Sequence, residues 1–126
     1  MKRSVFFLIA AIVATAFGAL MLLAPRFAAQ SFGLVGSGET DTLFRALGAT
    51  LLSLAVLNFL VRNHPASETL KAVLWTNVAA HAFGLVADLW SVSLGPLTFV
   101  NILPGLVVHV VIGLGALFYV TRTEAA

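Results

Sequence analysis

The chain has 126 residues, of which 60% are hydrophobic and only 10% are charged. Soluble globular domains are about half apolar and about a quarter charged, so this balance excludes an ordinary soluble domain. The absence of cysteine excludes disulfides, thiolate metal sites and iron–sulfur clusters, and a net charge of +2 spread along the chain gives no basic stripe for a nucleic acid.

Four long apolar stretches follow one another along the chain, and each is as long as a helix that crosses a hydrocarbon core of about 30 Å. We expect these helices at residues 5–24, 43–61, 70–90 and 98–121. Pro104 leaves the start of the last helix open, because proline fits either a first turn or a kink inside a longer helix. The predicted fold is all-α: one domain, an integral membrane antiparallel four-helix bundle with a short interfacial helix after the first span.

The first apolar stretch follows Lys2 and Arg3, as the apolar region of a secretory signal does. It is longer than such a region and no small-residue cleavage pattern follows it, so we expect it to stay in the protein as the first helix. Ala10, Ala14 and Gly18 recur every four residues along it, which predicts a face for close packing against another helix.

Residues 25–32 begin with Pro25, which suits a first helical turn, and stop before a glycine. We expect them to form a short helix at the outer membrane interface. Residues 36–40 are expected to be a flexible acidic connection. Asp41 stands four residues before Arg45, a spacing that supports the start of the second membrane helix.

The distribution of basic residues predicts the orientation of the helices. If the helices alternate in direction, five basic residues fall on one side and two on the other. The five are Lys2, Arg3, Arg62, Lys71 and Arg122, and the two are Arg26 and Arg45. Because positive charges stay on the cytoplasmic side, we expect both termini in the cytoplasm.

The third and fourth membrane helices each present a polar face that contains one histidine. Since ionisable groups are costly inside a membrane, such a face is where a site is expected. In the third helix the spacing places Asn77, His81 and Asp88 on one face, and in the fourth Asn101 and His109 share a face with Gly105 and Gly113.

Three interpretations of this polar site stay open. The first makes His81 and His109 axial ligands of a b-type haem held between two helices. The second makes each histidine a hydrogen-bonding group that joins the helices through Asn77, Asn101 or Asn58. In the third, the face of Asn77, His81 and Asp88 belongs to a proton or ion path, because chains of histidine and acid carry protons in membranes.

A second cluster is predicted at the outer ends of the helices, where Arg26, Asp41, Arg45 and Asp88 fall together. We expect an ion pair between Arg45 and Asp88, shared with Asp41, because each charge then has a partner near the interface. In the functional alternative, Arg26 and Arg45 anchor an anionic lipid or substrate headgroup.

Short motifs give the chain a family resemblance. Pro25 at the end of the first helix, Phe32-Gly33-Leu34, and Arg45-Ala46-Leu47-Gly48 resemble the small four-helix bacterial membrane proteins grouped as DoxX-like. Arg45-x-x-Gly48 and Leu74-Trp75-Thr76 also resemble the scaffold protein of ergosterol biosynthesis. Such families imply accessory roles, and no catalytic residue is carried over from them.

These observations lead to one main expectation and two alternatives. The main one is a non-enzymatic accessory or scaffold subunit, or a binder of a lipid-like small molecule, without a cofactor or a metal. Its expected partners are the lipid bilayer, a second copy or a larger membrane complex, and a lipid or quinone-like ligand, but no nucleic acid. The alternatives are an electron-transfer subunit with haem on His81 and His109, and a proton-coupled carrier that uses Asn77, His81 and Asp88.

Cysteine labelling tests the predicted orientation, because any cysteine introduced into this chain is unique. Ser37→Cys should react with an impermeant thiol reagent from the outside only, and Ala66→Cys from the cytoplasmic side only, since positive charges hold residues 62–69 inside. Labelling of Ser37→Cys from the cytoplasmic side alone would contradict the orientation.

Overall fold

The structure is a computed structural model and describes residues 1–122. All regular secondary structure in that range is helical. The helices are α1 (Arg3–Leu23), α2 (Pro25–Ser31), α3 (Gly38–Val61), α4 (Glu68–Ser93) and α5 (Phe99–Val120). Four of them, α1, α3, α4 and α5, are long and apolar enough to cross a membrane. The all-α class and the four predicted long apolar helices are therefore confirmed.

Helix α3 begins earlier than the sequence pattern predicts. Ser37 caps it, with its Oγ accepting a hydrogen bond from the Thr40 backbone N–H at 3.2 Å. Glu39 and Asp41 then lie in the first turn, where the positive end of the helix favours acidic side chains. The expectation of a flexible connection over residues 36–40 is wrong for its second half, because acidic residues and a serine cap together start a helix.

Helix α5 begins at Phe99, with Pro104 inside it. Thr98 and Asn101 form a capping box, in which the Thr98 hydroxyl accepts from the Asn101 N–H at 3.4 Å and Asn101 Oδ1 accepts from the Thr98 N–H at 3.3 Å. The proline removes one backbone donor from the helix but does not start it. Of the two starting points left open by the sequence, the earlier one is correct.

The chain forms two compact units, Met1–Arg62 and Asn63–Ala126. In the first unit α1 packs along α3, and the short α2 contacts both of them. In the second unit α4 packs along α5. Each unit is therefore built around one pair of long apolar helices.

Glycine allows the close approach of α1 and α3 in the first unit. A Cβ on Gly48 would lie 2.7 Å from the Gly18 carbonyl oxygen, and a Cβ on Gly18 would lie 2.9 Å from the Gly48 carbonyl oxygen. Both distances are too short for real atoms, so no other residue fits without a shift of backbone. Ala10 and Gly18 are buried and Ala14 is half-buried, so the predicted small-residue face is the packing face of α1.

A matched pair of glycine variants tests this contact. Gly48→Ala should lower the free energy of unfolding in detergent micelles by about 1–3 kcal/mol, because the added methyl group overpacks the α1–α3 contact. Gly38→Ala is the control, since a Cβ there meets no atom within 4 Å. Equal losses in the two variants, measured by denaturant titration of helical circular dichroism, would contradict the packing account.

Candidate functional site

Three polar side chains of the second unit form a connected chain across the α4–α5 pair. His81 Nδ1 lies 3.0 Å from His109 Nδ1, within hydrogen-bond distance. His109 Nε2 lies 3.7 Å from Asp88 Oδ2 on the other side of the same ring. We call His81, His109 and Asp88 the His–His–Asp chain. It joins three of the five polar residues that the sequence predicts for an intramembrane site.

Helical spacing brings these residues together. His81 and Asp88 are seven residues apart on α4, so they share one face of that helix, and His109 reaches between them from α5. Small residues of α5 lie opposite the two α4 side chains: a Cβ on Gly105 would be 3.3 Å from Asp88 Oδ2, and one on Gly113 would be 3.2 Å from His81 Cβ. Along the four-residue repeat of α5, His109 thus lies between two glycines, Gly105 and Gly113, which leave space for side chains of α4.

Gly84 makes the space that the His109 ring occupies. A Cβ at Gly84 would lie 2.9 Å or less from three atoms of that ring, including both nitrogens. The imidazoles of His81 and His109 have their centroids 5.3 Å apart, with their planes inclined by 57°. Any larger residue at position 84 would therefore push the His109 ring away from His81 and Asp88.

The His–His–Asp chain is only partly covered by protein. The side chains of His109 and Asp88 are 24% and 23% exposed, and His81 is half-buried. Elsewhere on the two helices, large apolar side chains are exposed, among them Phe83, Val86, Val107, Val110 and Val111. The His–His–Asp chain is therefore a small polar area on a helix pair whose other exposed surface suits lipid tails.

The two interactions of His109 set the direction of the hydrogen bond. A carboxylate only accepts hydrogen bonds, so the Asp88 charge favours a proton on the nitrogen that faces it, His109 Nε2. A neutral His109 then has a lone pair on Nδ1, which accepts a hydrogen bond from the Nδ1–H of His81. When both imidazoles are neutral, His81 therefore carries its proton on Nδ1 and has a lone pair on Nε2.

Each of the two predicted asparagines makes a hydrogen bond at its own helix. Asn77 is fully buried in α4, and its Nδ2 donates to the carbonyl oxygen of Val73 at 2.9 Å. Asn101 belongs to the capping box that starts α5. One interpretation of the sequence has each histidine bonding to an asparagine. In the structure, the two histidines bond to each other across the α4–α5 pair instead.

The arrangement of the two rings does not fit a haem. Two imidazoles on one haem iron have the porphyrin between them. Here the rings are in direct contact, with their Nδ1 atoms 3.0 Å apart, which leaves no room for a porphyrin between them. Within residues 1–122, no group of three His, Asp or Glu side chains has the geometry to hold a metal ion.

The predicted outer-end cluster is divided between the two units. Arg26 Nη2 pairs with Asp41 Oδ2 at 2.9 Å, and the stem of Arg26 lies against Gly36, where a Cβ would be 2.9 Å from Arg26 Cγ. Arg45 is exposed on α3 of the first unit, while Asp88 faces His109 in the second. The pairing of Arg26 with Asp41 is therefore an observed contact, and that of Arg45 with Asp88 stays a prediction.

Sequence reasoning missed the direct contact between the two histidines. The signal for it was present, because Gly84 stands between His81 and Asp88 on the same helical face and leaves a gap there. The gap at Gly84 on α4 and the histidine in the middle of α5 together indicate that the His109 ring fills the gap.

The chain matches no protein-family model, and its comparisons with curated proteins and with solved structures also give no match.

Proposed function

We propose that this chain is a non-enzymatic integral membrane protein, an accessory or scaffold subunit that binds a lipid-like small molecule at the His–His–Asp chain. The observation that carries the proposal is that the His–His–Asp chain is partly exposed on a pair of helices that are apolar enough to cross a membrane. Ionisable side chains inside a membrane are costly, and they mark ligand or proton sites when they are retained.

The helices that carry the His–His–Asp chain support a ligand with an apolar body. The helices α4 and α5 are long and apolar enough to cross a membrane, so a hydrocarbon tail can lie along them, and the half-buried His81 offers a hydrogen bond to a polar head. A lipid-like molecule has both parts. A soluble polar ligand would have to cross the apolar surface without any compensating contact.

The proposal extends to the setting of the protein. We propose that the four long helices form an antiparallel bundle in a bacterial inner membrane, with both termini in the cytoplasm. The DoxX-like resemblance of the motifs from Pro25 to Gly48 supports an accessory role. A second copy of the chain or a larger membrane complex is the proposed protein partner.

A second candidate is a proton-coupled carrier, and one observation favours it. The hydrogen bond between two Nδ1 atoms links His81 to His109, whose other nitrogen faces Asp88. A proton arriving at His81 Nε2 lets the Nδ1 proton of His81 pass to His109 Nδ1. The positive charge then resides on His109, beside the Asp88 carboxylate. The proton path thus uses His109 rather than Asn77.

Native mass spectrometry of the detergent-purified protein tests the proposed binding without assuming a ligand. The wild-type chain should retain a lipid-like species, and His81→Leu should retain at least about fivefold less of it, because leucine has no hydrogen-bond acceptor. His64→Leu is the matched control, since His64 is an exposed histidine outside the membrane helices. Equal retention in all three proteins would contradict the proposal.

Proteoliposomes with a trapped pH-sensitive dye separate the two candidates. A carrier dissipates an imposed pH gradient at a rate that falls in both His81→Gln and Asp88→Asn but not in His64→Gln. A protein that only binds its ligand leaves the gradient unchanged in every variant.

A further inference from the structure

One nitrogen of the His–His–Asp chain is available to a ligand. The Nδ1 atom of His81 is used by His109, and within the described residues 1–122 its Nε2 atom has no hydrogen-bond partner. His81 is half-buried rather than buried, so a molecule in the surrounding membrane can reach that atom. The chemistry of Nε2 therefore decides what kind of polar head the site accepts.

The Asp88 carboxylate determines that chemistry through His109. Its negative charge, 3.7 Å from His109 Nε2, favours a proton on that nitrogen and leaves His109 Nδ1 as an acceptor. His81 must then donate from Nδ1, because two lone pairs at 3.0 Å would repel each other. A neutral imidazole carries one proton, so His81 Nε2 is an acceptor.

We propose that the site selects amphipathic molecules whose head donates a hydrogen bond, a hydroxyl group above all, and discriminates against molecules of the same shape that only accept one. This inference rests on the proposed function and adds the class of ligand to it. An alcohol O–H donates to His81 Nε2, whereas an ether or quinone oxygen would face the Nε2 lone pair. A donor such as an isoprenoid alcohol or a quinol fits, and an oxidised quinone does not.

The selection depends on charge rather than on shape, which makes Asp88 a positioning residue. An amide in its place both donates and accepts, so it no longer determines which nitrogen of His109 carries the proton. Asp88→Asn should leave the apolar contacts of the site in place. It should therefore remove the preference between donor and acceptor heads without removing binding.

Two matched pairs of probes test the inference with the full chain in detergent micelles that contain no hydroxyl groups. The first pair is farnesol and its methyl ether, and the second is decylubiquinol and decylubiquinone under anaerobic conditions. Titration of the nitrogen-15 signal of His81 Nε2 gives an apparent dissociation constant for each probe. In each pair the donor should bind about five- to tenfold more tightly than its acceptor partner.

The two pairs also distinguish the source of the hydroxyl group, because one donor is aliphatic and the other phenolic. Asp88→Asn should bring the ratio within either pair close to one, and His64→Gln should leave it at the wild-type value. Equal binding within both pairs of the wild-type protein, or no response of His81 Nε2 to either donor, would overturn the inference. Retention of a lipid-like species by the wild-type chain but not by His81→Leu would still support the proposed function.

Discussion

The cost of placing ionisable groups among apolar helices is the constraint on which the second unit depends. A charged side chain at the centre of a membrane helix costs about 2.5–3.5 kcal/mol on insertion scales, so it needs a partner within the protein. His81, His109 and Asp88 meet this demand with one another, through a 3.0 Å contact between the imidazoles and a 3.7 Å approach to the carboxylate. Gly84, Gly105 and Gly113 are arranged around these three side chains.

Both units use glycine to bring two long helices together, but with different results. In the first unit a carbonyl oxygen of the neighbouring helix occupies the space at Gly18, so the contact is backbone against backbone. In the second unit the space at Gly84 holds the imidazole of His109. Both glycines end the same tripeptide, Ala-Phe-Gly, at residues 16–18 and 82–84. The same local sequence thus supports packing in one pair and a polar site in the other.

Much of the fold could be predicted from the sequence, because long apolar stretches and helix length are local properties. The four long helices follow from the length of the apolar stretches, the short helix from Pro25 in its first turn, and the packing face of α1 from a four-residue spacing. The start of α3 was misjudged because Gly38 and the acidic Glu39 suggest a loop, whereas the Ser37 cap and the helix dipole favour a helix there.

The candidate site was less predictable, because its geometry depends on contacts between helices. Spacing correctly grouped His81 with Asp88 and identified His109 on the next helix. It also added Asn77 and Asn101, since helical periodicity shows which side chains share a face but not which groups they bond to. The direction of the His81–His109 bond follows only from the position of Asp88.

Nitrogen-15 NMR of the protein with labelled histidine tests the central claim most directly, with His81→Gln and His109→Gln used to assign the signals. The account predicts a protonated Nδ1 on His81, an unprotonated Nδ1 on His109 and a scalar coupling between these two nitrogens across the hydrogen bond. Protons on Nε2 of both rings, with no such coupling, would contradict it, because neither Nδ1 could then donate.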